Sequence, residues 1–170
     1  MGASPTLVSV EEYLKGGYKP ACEYLDGVLR QKPMPTWDHG FTQSRVGQLI
    51  NENFPDFAAA SEITVRLSET RFLVPDVIAQ RKTDLQRPYP TQPVHLVVEI
   101  LSPEDRMSDV IAKCEQYHAW GVRYCWIIDP EEQTAWDYPR GRRPSQIHRG
   151  GRLQAEPVAL ALSDLFAAVA

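Results

Sequence analysis

The chain has 170 residues, enough to bury one hydrophobic core, and residues 1–170 are read as a single domain. Hydrophobic residues make up 43% and charged residues 24%, which excludes a disordered or fibrous chain, and no apolar run is long enough to cross a bilayer. A net charge of -4 counts against broad nonspecific nucleic-acid binding, which rests on phosphate neutralisation.

The first residues lack the basic-then-apolar pattern of a secretory signal, so a cytoplasmic address is expected. Ser9 to Leu14 reads as a short helix, with Ser9 as N-cap, Glu12 at the capping-box position and Gly16-Gly17 as the stop. Cys22 to Arg30 reads as a hairpin about the Asp26-Gly27 turn. After Pro33 and Pro35, helical spacing of Phe41, Val46, Leu49 and Ile50 predicts a helix from about His39 to Asn53, capped by Thr36 or Asp38. Glu62 to Leu67 alternates as a half-buried strand, and a turn at Ser68-Glu69-Thr70 leads to an antiparallel partner from Arg71 to Gln80. Val94 to Leu101 is nearly all apolar and predicts a strand covered on both faces. Ser102-Pro103-Glu104-Asp105 carries helix-start signals, so a helix is predicted from there to about Trp120, ended by Gly121. Arg123 to Pro130 is the next strand, and the strand–helix–strand order predicts a crossover between parallel strands. Weaker strands are predicted at Thr134–Tyr138, at Gln146–Arg149 and near Leu153, with a short helix opening at Ser163. The fold class is α/β, a mixed β-sheet flanked by helices.

Two acids stand out by position. Asp76 interrupts Phe72-Leu73-Val74-Pro75-Asp76-Val77-Ile78-Ala79, and Glu99 interrupts the apolar strand Val94 to Leu101. Burying one ionised carboxylate costs several kcal/mol unless something compensates it. For either acid alone, an arginine partner or a capped backbone amine is the ordinary explanation. For both on neighbouring strands, a shared cation removes the penalty twice over. Mg²⁺ or Mn²⁺ suits two carboxylates plus substrate phosphate, and the Ile100 backbone carbonyl is a further candidate ligand. Phosphodiester cleavage also benefits from a lysine that orients water or stabilises developing charge. Position 101 is Leu, so Lys113 is the candidate, sharing a helix face with Asp109 and Tyr117. The competing reading of Lys113 is an i,i+4 ion pair with Asp109.

Val74-Pro75-Asp76-Val77, Val97-Val98-Glu99-Ile100-Leu101-Ser102-Pro103, Lys113 with Tyr117, and Gly121 through Pro130 together resemble the Uma-two family of bacterial restriction-endonuclease-like proteins. Cys22 to Gly27 and His39 also match its pattern, so the resemblance covers nearly the whole chain. It implies the PD-(D/E)XK superfamily, a restriction-endonuclease-like core, a divalent metal at Asp76 and Glu99, and DNA as substrate. The superfamily's Glu-x-Lys lysine is Leu101 here, which makes Lys113 a migrated replacement reaching the same space from the helix. Glu23 and His39 are auxiliary candidates, either as ligands or as partners of a metal-bound water. Their structural alternatives are a cross-strand pair for Glu23 and helix N-terminal bonding for His39.

The remaining features read as structural. Cys22, Cys114 and Cys125 are odd in number and form no C-x-x-C, which argues against disulfides and zinc. Trp37 reads as core or interface packing rather than base stacking, Trp120, Tyr124 and Trp126 as packing on the sheet, and Asp129 as the cap of a strand-end turn. Arg140, Arg142, Arg143, Arg149 and Arg152 form a late basic run that suits phosphates or a solvated loop. The leading expectation is a metal-dependent DNA endonuclease with no membrane partner, acting as a homodimer. The alternatives are a catalytically silent binding module on the same fold and another metal-dependent phosphoesterase.

Overall fold

A computed structural model describes residues 6–167, and the elements below are those of the described residues. Helix α1 (Val10–Lys15) starts as predicted: the Ser9 hydroxyl accepts from the Glu12 N–H while the Glu12 carboxylate accepts from the Ser9 N–H. Strands β1 (Cys22–Leu25) and β2 (Val28–Gln31) form the predicted hairpin, and Asp26 and Gly27 take the positive φ angles, 50° and 96°, that a tight two-residue turn requires. Helix α2 (Trp37–Asn53) is capped by Thr36, whose hydroxyl accepts from the His39 N–H.

Next come β3 (Phe57–Ser61), β4 (Val65–Ser68), β5 (Arg71–Leu73) and β6 (Val77–Arg81). β3 was not anticipated, because Phe-Ala-Ala-Ala-Ser has one bulky apolar residue and its pairing with β6 decides its conformation. The predicted strand Arg71 to Gln80 is two strands. Val74-Pro75-Asp76 breaks it, because Pro75 has no N–H to give a ladder. After it lie β7 (Leu96–Ile100), α3 (Met107–Trp120), β8 (Tyr124–Asp129), β9 (Thr134–Pro139), β10 (Ser145–Ile147), β11 (Arg152–Ala155), β12 (Val158–Ala161) and α4 (Leu162–Phe166). α3 starts four residues later than predicted. Ser102 to Asp105 forms a turn instead, with the Ser102 N–H donating to the Asp105 carboxylate at 2.7 Å and the Asp105 N–H to the Ser102 carbonyl at 2.9 Å.

The strands form a four-stranded sheet, β2-β1-β5-β4, a six-stranded sheet, β10-β9-β8-β7-β6-β3, and the β11-β12 hairpin. β7 and β8 are parallel across α3, as predicted, and the other pairs of the six-stranded sheet are antiparallel. One sheet face, with Val77, Ala79, Leu96, Val98, Ile100 and Trp126, packs on α2, the β11-β12 hairpin and α4. The other, with Ile78, Val97, Cys125 and Ile127, packs on Cys114 and Tyr117 of α3 and on Val65 and Leu73. Cys22, Cys114 and Cys125 are free and buried, as expected of small hydrophobes. Asp129 caps its turn, accepting from the Glu131 and Glu132 N–H groups at 3.0 Å.

Gly121 ends α3 at φ 127°, and a Cβ there would stand 2.7 Å from Pro93 Cγ. Gly121→Ala is therefore expected to destabilise the protein by about 1–3 kcal/mol in urea unfolding, and an unchanged midpoint would refute this account of the helix end.

Candidate active site

The break at Val74-Pro75-Asp76 is where the chain passes from the four-stranded to the six-stranded sheet. Its backbone groups are satisfied by side chains in place of a ladder. The Val74 N–H donates to Glu23 at 3.1 Å, and the Val74 carbonyl accepts from Lys32 at 2.9 Å. The Asp76 carbonyl accepts from Gln43 at 3.0 Å and from the Glu62 N–H at 3.2 Å. The Asp76 carboxylate then turns inward. Oδ2 accepts from the Ile100 N–H at 2.6 Å, and Oδ1 lies 2.8 Å from Lys32 Nζ and 3.3 Å from His39 Nε2.

β6 and β7 pair Val77 with Val98 and Ile78 with Val97, so one further step of that register sets Asp76 opposite Glu99. Facing residues of paired strands point to the same side. Glu99 lies on the α3 face, where Oε1 is 3.0 Å from Lys113 Nζ and accepts from the Tyr117 hydroxyl at 2.8 Å. Lys113 also reaches Glu23 at 2.7 Å rather than pairing with Asp109. Two lysine-centred groups result: Lys113 between Glu23 and Glu99, and Lys32 between Asp76 and Glu62, which it meets at 2.9 Å. Glu62 adopts φ 55°, a conformation that costs energy for a residue with a side chain, and its carboxylate is also held by Gln43 at 3.1 Å. His39 is fixed from behind, its Nδ1 sharing a 3.2 Å hydrogen bond with the Ser102 hydroxyl. The charged residues of both groups, with His39, Gln43 and Ser102, line one cleft of about 500 Å³.

Asp76, Glu23 and Glu99 are 2%, 4% and 6% exposed, so their charges interact with little screening. Burial works to raise the Asp76 pKa, but the hydrogen bond from His39 and the charge of Lys32 outweigh it and hold the carboxyl well below the usual carboxylate range. Burial pushes Glu99 the other way, to about 7, against the pull of Lys113 and with the help of the Asp76 charge. For Lys113 burial acts downward, yet Glu99 and Glu23 hold the ammonium well above the usual lysine range. Burial and the Glu99 charge likewise keep the Tyr117 phenol protonated. The site therefore holds one firmly ionised carboxylate and one poised near neutrality, a separation that marks functional carboxylate pairs.

His39, Glu62 and Asp76 each offer a ligand atom within 4.8 Å of the others, two carboxylate oxygens and one imidazole nitrogen, a donor set that fits a divalent cation. Of the residues expected from sequence, Asp76, Glu99, Lys113, Glu23 and His39 line the cleft, and Tyr117 reaches it through Glu99. Ile100 also lines the cleft, and its N–H donates to Asp76. Lys32, Glu62, Gln43 and the Ser102 hydroxyl were missed. Lys32 had a legible signal: extending the hairpin register from Glu23↔Arg30 by one bonded step to Ala21 and Lys32 puts Glu23, Arg30 and Lys32 on one face.

The structure places two other features. Pro139 pairs with Tyr124, which pairs with Leu96 at the start of β7, so Arg140, Arg142 and Arg143 lie about 13 Å along the strands from the Ile100 end. They do not flank the cleft. Trp37 is 80% exposed and so lies outside the core.

Removing the Lys113 charge leaves Glu23 and Glu99 facing each other without a counter-ion. Lys113→Met is expected to cost about 3–5 kcal/mol in urea unfolding, with part of it recovered by adding Glu99→Gln. A single variant as stable as the parent would show that the ion pairs do not hold the site.

A family model, Uma2, described as "putative restriction endonuclease", matches residues 10–169. A crystal structure of a "putative nuclease belonging to DUF820" from Anabaena variabilis superposes with a TM-score of 0.79 at 24% identity, covering 94% of this chain and 98% of that one. That likeness establishes the fold, a mixed α/β sheet flanked by helices. Nothing among the curated proteins matches the chain.

Proposed function

The chain belongs to the Uma2 family, described as "putative restriction endonuclease", and on that footing we propose that it is a metal-dependent endonuclease hydrolysing DNA phosphodiester bonds. The observation that carries this reading is the pair of buried carboxylates in one cleft, Asp76 just before β6 and Glu99 on the neighbouring β7. Mg²⁺ or Mn²⁺ bound by Asp76 and Glu99, with the Ile100 carbonyl and with His39 and Glu62 as further donors, would polarise the scissile phosphate and lower the pKa of an attacking water.

The residues of the chain have distinct parts in this reading. Lys113 stays charged, so it stabilises negative charge on the phosphate and does not remove a proton. Glu23 anchors that ammonium and ties it to the Val74 backbone. Tyr117 donates to Glu99 and orients it. Ser102 and Asp76 hold the His39 ring from its two nitrogens. Lys32 supplies a second cation on the cleft wall. One copy of the chain suffices to cut a single strand. A homodimer would bring two sites to the two strands of a duplex.

One observation favours a second reading, a catalytically silent interaction module: each acid of the pair already has its own lysine, so the fold is neutralised without an ion. Two measurements decide. With plasmid and linear DNA in Mn²⁺, the parent protein is expected to cleave and Asp76→Ala to lose about two orders of magnitude or more. Equal behaviour of the two ends the catalytic proposal.

The second measurement uses pH. Folded Glu99 keeps its proton up to about pH 7 against an ordinary value of 4.5, so between these limits the unfolded chain has released a proton that the folded chain retains. The cost of burying Glu99 grows across that window and is complete above it. A divalent ion needs the ionised form, so calorimetric Mn²⁺ affinity is expected to fall about tenfold per pH unit below 7, and Glu99→Gln to weaken binding and flatten the slope. A silent module would show no Glu99-dependent Mn²⁺ binding at any pH.

A further inference from the structure

The charges of the six-stranded sheet are sorted along its strands. β6 begins after Asp76 and ends at Arg81, β8 begins after Arg123 and ends at Asp129, and β9 ends before Arg140. Acids collect at the cleft end and arginines at the opposite end. Between them on one face lies α3, whose exposed charges are Asp109 and Glu115. The cleft has little to offer a run of phosphates, because both of its lysines are engaged by carboxylates. Cations free to meet a polyanion lie at the other end of the sheet.

There the cations are built into the fold. Phe57, His95 and Tyr124 form a row of rings across the strand ends, with successive centroids 4.8 and 5.3 Å apart. The Arg81 guanidinium lies 4.8 Å from the Phe57 ring centroid and that of Arg123 lies 5.4 Å from that of Tyr124. Stacking orients each planar fork while its N–H groups remain available to an anion. Between the two, His95 Nε2–H donates to the Ala155 carbonyl at 2.8 Å. Arg81, His95 and Arg123 line one pocket of about 270 Å³, whose wall carries a single acid, Asp84. Among the described residues no ion pair joins either arginine to a carboxylate. Burial lowers the His95 pKa against the bond to Ala155, and the charges of Arg81 and Arg123 lower it further. The Arg140 N–H donates to the Arg123 carbonyl at 2.8 Å, so exposed Arg140, Arg142 and Arg143 continue the cationic row past β8.

Two planar cations across one pocket suit an oxyanion held from both sides, and the arginines of the next turn suit further anions in a chain. We propose that the Arg81–Arg123 pocket holds a backbone phosphate of nucleic acid, with Arg140, Arg142 and Arg143 on neighbouring phosphates, as a binding site remote from the cleft. The site adds affinity for long chains and takes no part in bond cleavage. Naming nucleic acid as the polyanion rests on the nuclease reading above.

The test uses the full chain in EDTA with a labelled duplex oligonucleotide, read by fluorescence anisotropy across a salt series. The double variant Arg81→Gln/Arg123→Gln is expected to bind at least about tenfold more weakly and to lower the slope of log affinity against log salt by about 2. Arg123→Lys should keep the parent's slope and lose part of the affinity. In the parent, the NMR titration of His95 should move to higher pH when the duplex is bound, because a phosphate offsets the two charges beside the ring. Unchanged thermal unfolding of the double variant verifies its fold. Its Mn²⁺-dependent hydrolysis of a small chromogenic phosphodiester, too short to reach both ends of the sheet, should match the parent's. Equal binding and equal salt slope in parent and double variant overturn the site, and DNA cleavage by the parent then leaves the nuclease reading standing. Loss of small-diester hydrolysis together with DNA binding overturns the remote role. Altered sedimentation with unaltered DNA binding assigns the arginines to a second copy of the chain and overturns the proposal. Arginine-dependent binding by a parent that cleaves neither DNA nor the small diester upholds the site and ends the nuclease reading.

Discussion

Four carboxylates, two ammonium groups and one imidazole meet where the chain changes sheets, and neither the crossing nor the site exists without the other. Val74-Pro75-Asp76 has no ladder to join, because Pro75 lacks an N–H and its neighbours lie between two sheets. Unpaired backbone groups there would cost as much as lost hydrogen bonds. Glu23, Lys32 and Gln43 supply the bonds and are themselves held by the groups they serve. Changing one charge therefore exposes several partners, so the site resists piecemeal substitution.

The same network sets the electrostatic character of the cleft. Asp76 has three donors on its two oxygens and is firmly ionised. Glu99 is buried, shares its one ammonium with Glu23 and lies within reach of the Asp76 charge, so burial first and that charge second retain its proton to near neutrality. On the metal-dependent reading proposed above, an ion held by Asp76 and Glu99 would compete with the Glu99 proton and with the lysines, so ion binding and lysine position would be linked.

Much of this was legible in the sequence, and the reasons differ by residue. Asp76 and Glu99 stood out because an acid inside an apolar strand violates its own pattern. Lys113 and Tyr117 followed from helical spacing. Glu62 carried no signal, because its left-handed backbone and its reach to Lys32 depend on β3, a strand whose alanines do not announce it. The split of Arg71 to Gln80 was visible as Pro75 yet read as continuous, because both halves are apolar. The late start of α3 has the same origin in reverse: Ser, Pro and two acids serve a tight turn as well as a helix start, and the Asp105 side chain bonding back to Ser102 decides between them. Trp37 lies outside the core although its residue type favours burial, at the first position of a capped helix.

Leu101 is the departure from the superfamily pattern that the sequence exposed most plainly, and its packing explains how the chain accommodates it. It is half-buried against the cluster formed by the α3 face of the sheet, together with Met107, Val110 and Ile111 of α3. A lysine at 101 would bring a charge into that apolar seam. The leucine helps seat α3 on β7 and β8, and that seating determines where Lys113 and Tyr117 project. With α3 in this register, residues one turn apart, 113 and 117, both reach a single Glu99 oxygen. The position that lost the expected charge has thus become part of the packing that delivers another charge from the helix. Geometry of the cleft, rather than the spacing of a short motif, is the better guide to which lysine serves this site.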